Sequence, residues 1–582
     1  MLVQTAEQQN RFWQVASMDW IQKAEAILLA AAICCFGLFY EGFAAVASLL
    51  LLFLLQKRLR KNGEFQLSKK LLLLSICLLP MAALITVPYA IDSGMAVLGI
   101  VKFLPAALFA LLMMQENEAQ RERLVLLIPL IAAAVTSICL LCGLTPLCEL
   151  IFINKRFSGA FQYANSYAMF LLVSLLIVLF SYQYYSRILG IIIVILLMTG
   201  IVLTGSRAVF FLAVAGIVVW IIYSLWHQKE SRQTLLILAF LILGIIALCI
   251  LLAFLTGHER ELARFTQINW KKSTHLDRLL FFRDGLTVLG QHPFGLGYKG
   301  YLFYQGAVQS GDYAVTYVHN DLLQSGLDFG IWMMALLGIG YAAVLIRKDL
   351  SMRNRLTLAV MAVHGLFDWD FQFVVMLMIL ILMSDAGRGW CFSLNKIGRT
   401  ILSSMTAVLA ALNLWVGSAA LLEFAHCYEA AAIVYPGMTI SQMQVINSHQ
   451  NDAAGSEAAA SICKRNDYCT IALQVMAEQA ARRGDFEQMA KYGEKFVQSA
   501  KYNETGYGIY VYLLSYAVER EAAVGNQESV LKYLRMVGQV KKMMEDAEKS
   551  FSPLAEQVLG KVKLELPDEY AAYVEHAAEL TE

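Results

Sequence analysis

Charge is scarce in this chain: Asp, Glu, Lys and Arg make up 16% of its 582 residues, against 58% hydrophobic. With a mean hydropathy of +0.58, that excludes an ordinary soluble protein, and the length excludes a single domain. A net charge of +1 leaves no electrostatic footprint for nucleic acid. The sequence has no glycine-rich phosphate loop, no Cys/His spacing that would hold a metal and no cleavable signal peptide. Its first apolar segment begins near Ala26 and is followed at once by another, so it reads as a retained anchor. Of the 11 cysteines, most fall in apolar stretches, where a thiol is a small hydrophobe. Cys463 and Cys469, with Cys427 nearby, lie instead in soluble-type sequence, either as a disulfide in an oxidising exterior or as free helical thiols.

Apolar runs fill the space that charge leaves. They cover 26–40, 43–56, 71–88, 98–114, 124–143, 165–182, 188–204, 208–226, 234–256, 331–346, 357–368, 371–385 and 400–421. Several are shorter than the ~20 residues a bilayer needs, so they borrow flanking residues or stop short of spanning. The cations sort the loops between them. Lys57 through Lys61, Arg121 with Arg123, Arg347 through Arg355 and Arg388 through Arg399 alternate with loops near Glu41, Asp92 and Gly205 that are almost free of Lys and Arg. This positive-inside asymmetry predicts a cytoplasmic amino terminus, 1–24, and puts both the long loop 257–330 and the carboxyl-terminal segment outside.

The expected fold is an all-α polytopic membrane protein of about 12–13 transmembrane helices followed by an exterior α-helical domain. The membrane domain is 25–390, a linker and final helix occupy 391–421, and the exterior domain is 422–582. Within the last, Ala477 through Phe496 reads as helix, Gly484-Asp485 turn, helix. This is either a tetratricopeptide-like unit or part of a plain helical bundle, since an array normally needs about three units.

Polar residues that break the membrane pattern are the candidates for chemistry. Arg207, in Thr204-Gly205-Ser206-Arg207, sits at a tight turn between two apolar stretches. It is either functional or a cation snorkelling to headgroups. Arg156, Gly159 and Asn165 lead into a helix from the same side, and His364 and Asp368 lie four apart on one helical face. The loop contributes Arg278, Arg283, His292-Pro293-Phe-Gly295-Leu-Gly297, His319-Asn320 and Gly330. Arginine forks match phosphate oxygens and suit a lipid-linked diphosphate leaving group. A neutral histidine can take the proton of an attacking sugar hydroxyl. Tyr298, Tyr301, Tyr304, Tyr313 and Tyr317 are either stacking faces for sugar rings or an interfacial belt. The loop's carboxylates are scattered, so no hard-cation cage is apparent.

In order and spacing, these motifs over residues 25–390 resemble the O-antigen ligase and polymerase superfamily. The resemblance implies a metal-independent membrane glycosyltransferase, without cofactor, acting on an undecaprenyl-diphosphate-linked glycan. It implies that Arg207 and Arg278 bind the diphosphate, that His319 activates the acceptor hydroxyl or positions the donor, and that Arg283 assists. Arg156, Asn165, Asn320, His364 and Asp368 are the expected substrate-binding residues. The exterior helical domain departs from the usual ligase pattern and looks more like Gram-positive relatives. The acceptor is therefore left open between a glycan, a wall polymer and a protein, and the domain itself is a candidate surface for an envelope-protein partner. The rival reading is a lipid-linked sugar transporter, which would more often show internal repeats and a midplane site.

Overall fold

The computed structural model describes residues 18–227, 274–386, 389–449 and 452–581. The expected span 234–256 and the start of the long loop, 257–273, lie outside the described residues. The described residues are mostly helical, with short strands and connecting turns. The first half comprises α1 (Trp20–Cys34), α2 (Glu41–Asn62), α3 (Leu71–Thr86), α4 (Ser93–Met114), α5 (Glu118–Cys142), α6 (Ala164–Phe180), α7 (Arg187–Thr204) and α8 (Arg207–His227). The loop forms α9 (Thr274–Gln291), α10 (Gly300–Val308) and α11 (Asp321–Phe329). Then come α12 (Ile331–Leu345), α13 (Met352–Gly365), α14 (Val374–Met383) and α15 (Lys396–Phe424).

Among the described residues, six helices are long and apolar enough to cross a membrane: α2, α4, α5, α7, α8 and α15. Four more are apolar but shorter: α3, α6, α12 and α14. At 10 residues, α14 rises only about 15 Å, half a hydrocarbon core. All of it is buried, and the irregular backbone at 368–373 just before it is buried or half-buried within the protein. Helix α15 is the opposite case. Ile397, Ile401, Met405, Val408 and Leu414 stay exposed along it, as a peripheral, lipid-facing helix requires.

The two ends of the bundle differ in kind. At one end the cations of the sequence pattern are tied to carboxylates: Arg58 to Asp19 and Glu116, Arg121 to Asp385, and Arg353 to Glu122. A two-stranded antiparallel pairing of 64–67 with 390–393 closes that end. The other end carries the loop. There Glu41 at the start of α2 accepts from Lys299 Nζ and the Tyr298 hydroxyl, both at 2.7 Å and all buried. A buried pair of this kind does little for net stability but is expensive to break, on the order of 3–5 kcal/mol.

The loop is laced to the bundle through its glycines. Leu296 N–H donates to Leu327 O at 2.7 Å, Gly297 N–H to Asp328 O at 3.1 Å and Ile331 N–H to Pro293 O at 2.8 Å. Gly330 has φ +97°, and a Cβ there would stand 2.8 Å from Pro293 O, so the two chains approach too closely for any side chain. The motif His292 through Gly297 thus serves as a clasp on the end of α11, and His292 itself reaches Tyr304 at 3.3 Å.

Beyond Ala425 follow α16 (Tyr428–Val434), α17 (Thr439–Ser448), α18 (Ala453–Cys463), α19 (Thr470–Arg482), α20 (Phe486–Ser499), α21 (Glu504–Ala523), α22 (Gln527–Lys549), α23 (Pro553–Leu559) and α24 (Asp568–Thr581). The Gly484-Asp485 turn is as expected, with Gly484 at φ +74° and Asp485 capping α20 through Gln488 N–H at 3.0 Å. Met489 and Phe496 are buried in the interface. Cys463 and Cys469 stand as free thiols, and no disulfide joins them.

This helical domain does not hang free. Asp92 caps α4 through Met95 N–H at 3.0 Å, and its other oxygen accepts from Thr439 Oγ1 at 2.7 Å and Asn466 Nδ2 at 2.9 Å. Ser552 N–H donates to Ser310 O at 2.8 Å and Lys501 N–H to Gly306 O at 3.3 Å. The loop and the helical domain therefore occupy the same end of the bundle.

Candidate active site

Four separate stretches converge on one carboxylate. Helix α13 ends at Gly365, so Asp368 lies past its end, in the turn before the 3-10 segment Asp370–Gln372. The expectation that His364 and Asp368 share a helical face therefore fails, because the helix stops between them and the turn redirects Asp368. Its Oδ1 accepts from the Tyr163 hydroxyl at 2.9 Å and the Trp369 N–H at 3.0 Å. Oδ2 accepts from Asn165 Nδ2 at 2.8 Å and Arg278 Nη2 at 3.2 Å. His319 Nδ1 stands 3.4 Å from Oδ1, an ion-pair distance. Burial, the largest influence, works to raise the Asp368 pKa. His319, His364 and Arg278 together outweigh it and hold the carboxylate well below the usual range. Burial and then the Asp368 charge push the Tyr163 phenol up, which keeps it a donor.

His319 is posed by its backbone and by rings. It adopts φ +53°, an uncommon conformation for a residue with a side chain, between two pinned neighbours. Val318 N–H donates to Gln324 Oε1 at 3.0 Å, and Asn320 caps α11 through Leu323 N–H at 2.9 Å. The imidazole lies nearly parallel to Phe281 at 6.1 Å and edge-on to Trp369 at 6.3 Å. Asn320 Nδ2 also donates to Leu366 O at 3.0 Å, so this expected substrate-binding residue braces the histidine loop against the Asp368 turn.

The remaining candidates divide into two groups. Arg156 Nε donates to Thr204 O at 2.8 Å and its Nη2 to Asn165 Oδ1 at 2.7 Å, so Arg156 holds the Thr204 to Arg207 turn against the Asp368 cluster. Arg207 opens α8 just past Gly205 at φ +61°. Its charge reaches His275, whose pKa is lowered by burial, then by Arg278 and Arg207, so the two arginines share a neighbourhood. His364 turns elsewhere: its Nδ1 lies 2.5 Å from Asp370 Oδ2, and Ser166 Oγ donates to Asp370 Oδ1 at 2.7 Å. Arg283 is exposed, and five residues after Arg278 it lies about 140° around α9, away from the cluster.

Three of the five expected stacking tyrosines are not available for sugars. Tyr298, Tyr301 and Tyr317 are buried, the first on Glu41 and the second on the Tyr313 hydroxyl at 2.9 Å. Sequence reasoning also missed Tyr163, Phe281, Trp369 and Asp370. Only Asp370 carried a signal, as a second carboxylate two places from Asp368.

No curated protein and no solved structure matches the chain at a significant level. One family model does, described as O-antigen ligase, over residues 191–338, the segment that contains Arg207, Arg278 and His319. Residues 191–338 therefore resemble the O-antigen ligase family, within a chain that carries several helices long and apolar enough to cross a membrane.

Proposed function

We propose that the protein transfers or polymerises a glycan from an undecaprenyl-diphosphate-linked donor, at the face of the membrane away from the cytoplasm. The observation that carries this reading is the Asp368 carboxylate, which binds an arginine and orients a histidine at once. With Nδ1 turned to Asp368, the ring proton belongs on Nδ1 and Nε2 is left as the base. In the reaction the acceptor hydroxyl attacks the anomeric carbon, its proton passes to His319 Nε2, and the bond from that carbon to the diphosphate oxygen breaks. Arg207 and the unused part of the Arg278 guanidinium offset the charge on the departing lipid diphosphate. A mostly apolar cavity of about 760 Å³, lined by Phe36, Tyr40, Ile138 and Phe424 and reaching Gln162 next to Tyr163, is the space this reading gives to the lipid.

No metal enters this mechanism. Asp368 is already ringed by donors, and activity of the purified protein should survive a chelator. Loss on chelation, restored by Mg²⁺ or Mn²⁺, would contradict it. The cations are tested by charge-conserving substitution. A guanidinium fork on phosphate is not replaced by an ammonium, so Arg207→Lys and Arg278→Lys should each be strongly impaired, whereas snorkelling arginines would tolerate lysine. His319→Ala should lose about 10²–10⁴-fold in rate with donor binding retained. Full activity of His319→Ala on folded protein would remove the site. In cells, deletion separates the two enzyme roles: accumulating single lipid-linked repeats indicate a polymerase, and full-length lipid-linked chains a ligase.

A further inference from the structure

We infer that the cleft between the loop and the helical domain is a binding subsite for the glycan portion of a substrate, and that it takes a neutral or amino-sugar chain rather than an anionic one. The inference rests on the glycan-transfer reading above. The cleft has a volume of about 850 Å³ and is walled on one side by α10 and residues 309–314, on the other by α17, α19, α20 and the start of α21. That size lies within the roughly 300–1,000 Å³ of pockets that take small organic ligands.

Its chemistry is that of a hydroxyl-rich ligand. Tyr313 and Tyr468, both half-buried, bring ring surface to it, and Gln444 and Gln474 bring planar amides that can donate to one hydroxyl and accept from another. Gln309 also lines it, with a side-chain oxygen that has no donor among the described residues. Asp312 and Glu504 are exposed and acidic, and the described lining residues include no lysine or arginine. A phosphate- or carboxylate-bearing polymer would meet like charge there. The cleft is also coupled to the reacting centre: Tyr313 packs on Phe281 at 4.7 Å, and Phe281 lies along His319 at 6.1 Å. Two rings thus separate the proposed base from the cleft.

The test uses full-length protein in nanodiscs and the oligosaccharide released by mild acid from the lipid-linked glycan of the producing cells. Binding is measured by calorimetry. Wild type and His319→Ala should bind alike, and Gln474→Ala combined with Tyr468→Ala should bind at least about tenfold more weakly. Tyr468→Phe, which keeps the ring, should bind as wild type and controls for folding. Oxidising the primary hydroxyls of the same oligosaccharide to carboxylates should weaken binding to wild type, and Asp312→Arg, an exposed change, should recover it. No binding to wild type, equal binding by the double variant, or tighter binding of the oxidised sugar by wild type would overturn the inference. Weakened binding in the double variant alongside a fully active His319→Ala would remove the proposed mechanism and leave the cleft standing.

Discussion

At the residue scale, the two aspartates either side of the histidine loop are opposites. Asp368 is surrounded by donors and keeps its charge. Asp321 is buried beside Asp370, with one oxygen taken by Phe371 N–H at 2.9 Å and the other without a partner among the described residues. Burial first, then the Asp370 charge, raises its pKa well above the usual carboxylate range, so the neutral acid is the favoured form. Asparagine imitates a neutral acid but not a carboxylate. Asp321→Asn should therefore leave the turnover rate close to wild type. Asp368→Asn can donate to His319 Nδ1 and favour the wrong tautomer, so its kcat should fall by about 10²–10⁴-fold with a smaller change in KM. Equal effects of the two substitutions would show that Asp368 does not position His319.

At the element scale, the helix that follows His319 is held in place by a clasp. Gly330 has the extended, positive-φ backbone that is essentially confined to glycine, with φ +97° and ψ 165°. Gly330→Ala should lose on the order of 1–3 kcal/mol from the backbone alone, before its Cβ displaces Pro293. The expected outcome is a lower melting temperature together with lost activity, because the start of α11 carries the histidine loop.

The clasp also shows how far the sequence was legible. The glycines, the paired loop cations and His319 stood out because each breaks a local pattern: a charge in an apolar setting, or a glycine-rich motif beside a proline. Asp368 stood out for the wrong reason, since four-residue spacing reads as a helix face and nothing local says that α13 stops at Gly365. Tyr298 looked like a surface ring because its hydroxyl is bound by Glu41, more than 250 positions away, and the Tyr317 hydroxyl lies 3.4 Å from that of Tyr298. Burial of a polar ring is set by partners distant in the chain, and no local window contains them.

At the scale of the whole molecule, the pattern of ends carries the prediction. Arg58, Arg121 and Arg353, with their carboxylates, lie at the end opposite the loop, and the helical domain sits at the loop end. Reporters fused near Asn354 should read cytoplasmic, and those near Asp312 and Gly525 exterior. An exterior reading at Asn354 would break the proposed orientation. The helices of the last domain were legible at the Gly484-Asp485 turn, but their grip on the membrane domain was not. Asp92, Thr439 and Asn466 announce nothing individually.

That grip has a bearing on biogenesis. Asp92 leaves the ribosome 374 residues before Asn466, and the short strand 64–67 precedes its partner 390–393 by more than 300. Until translation nears its end, the early helices lack the side chains that fasten them, and a large closure entropy stands against any premature arrangement. A chain stopped short of Asn466 therefore lacks the completed cleft, although every residue of the Asp368 cluster is already made.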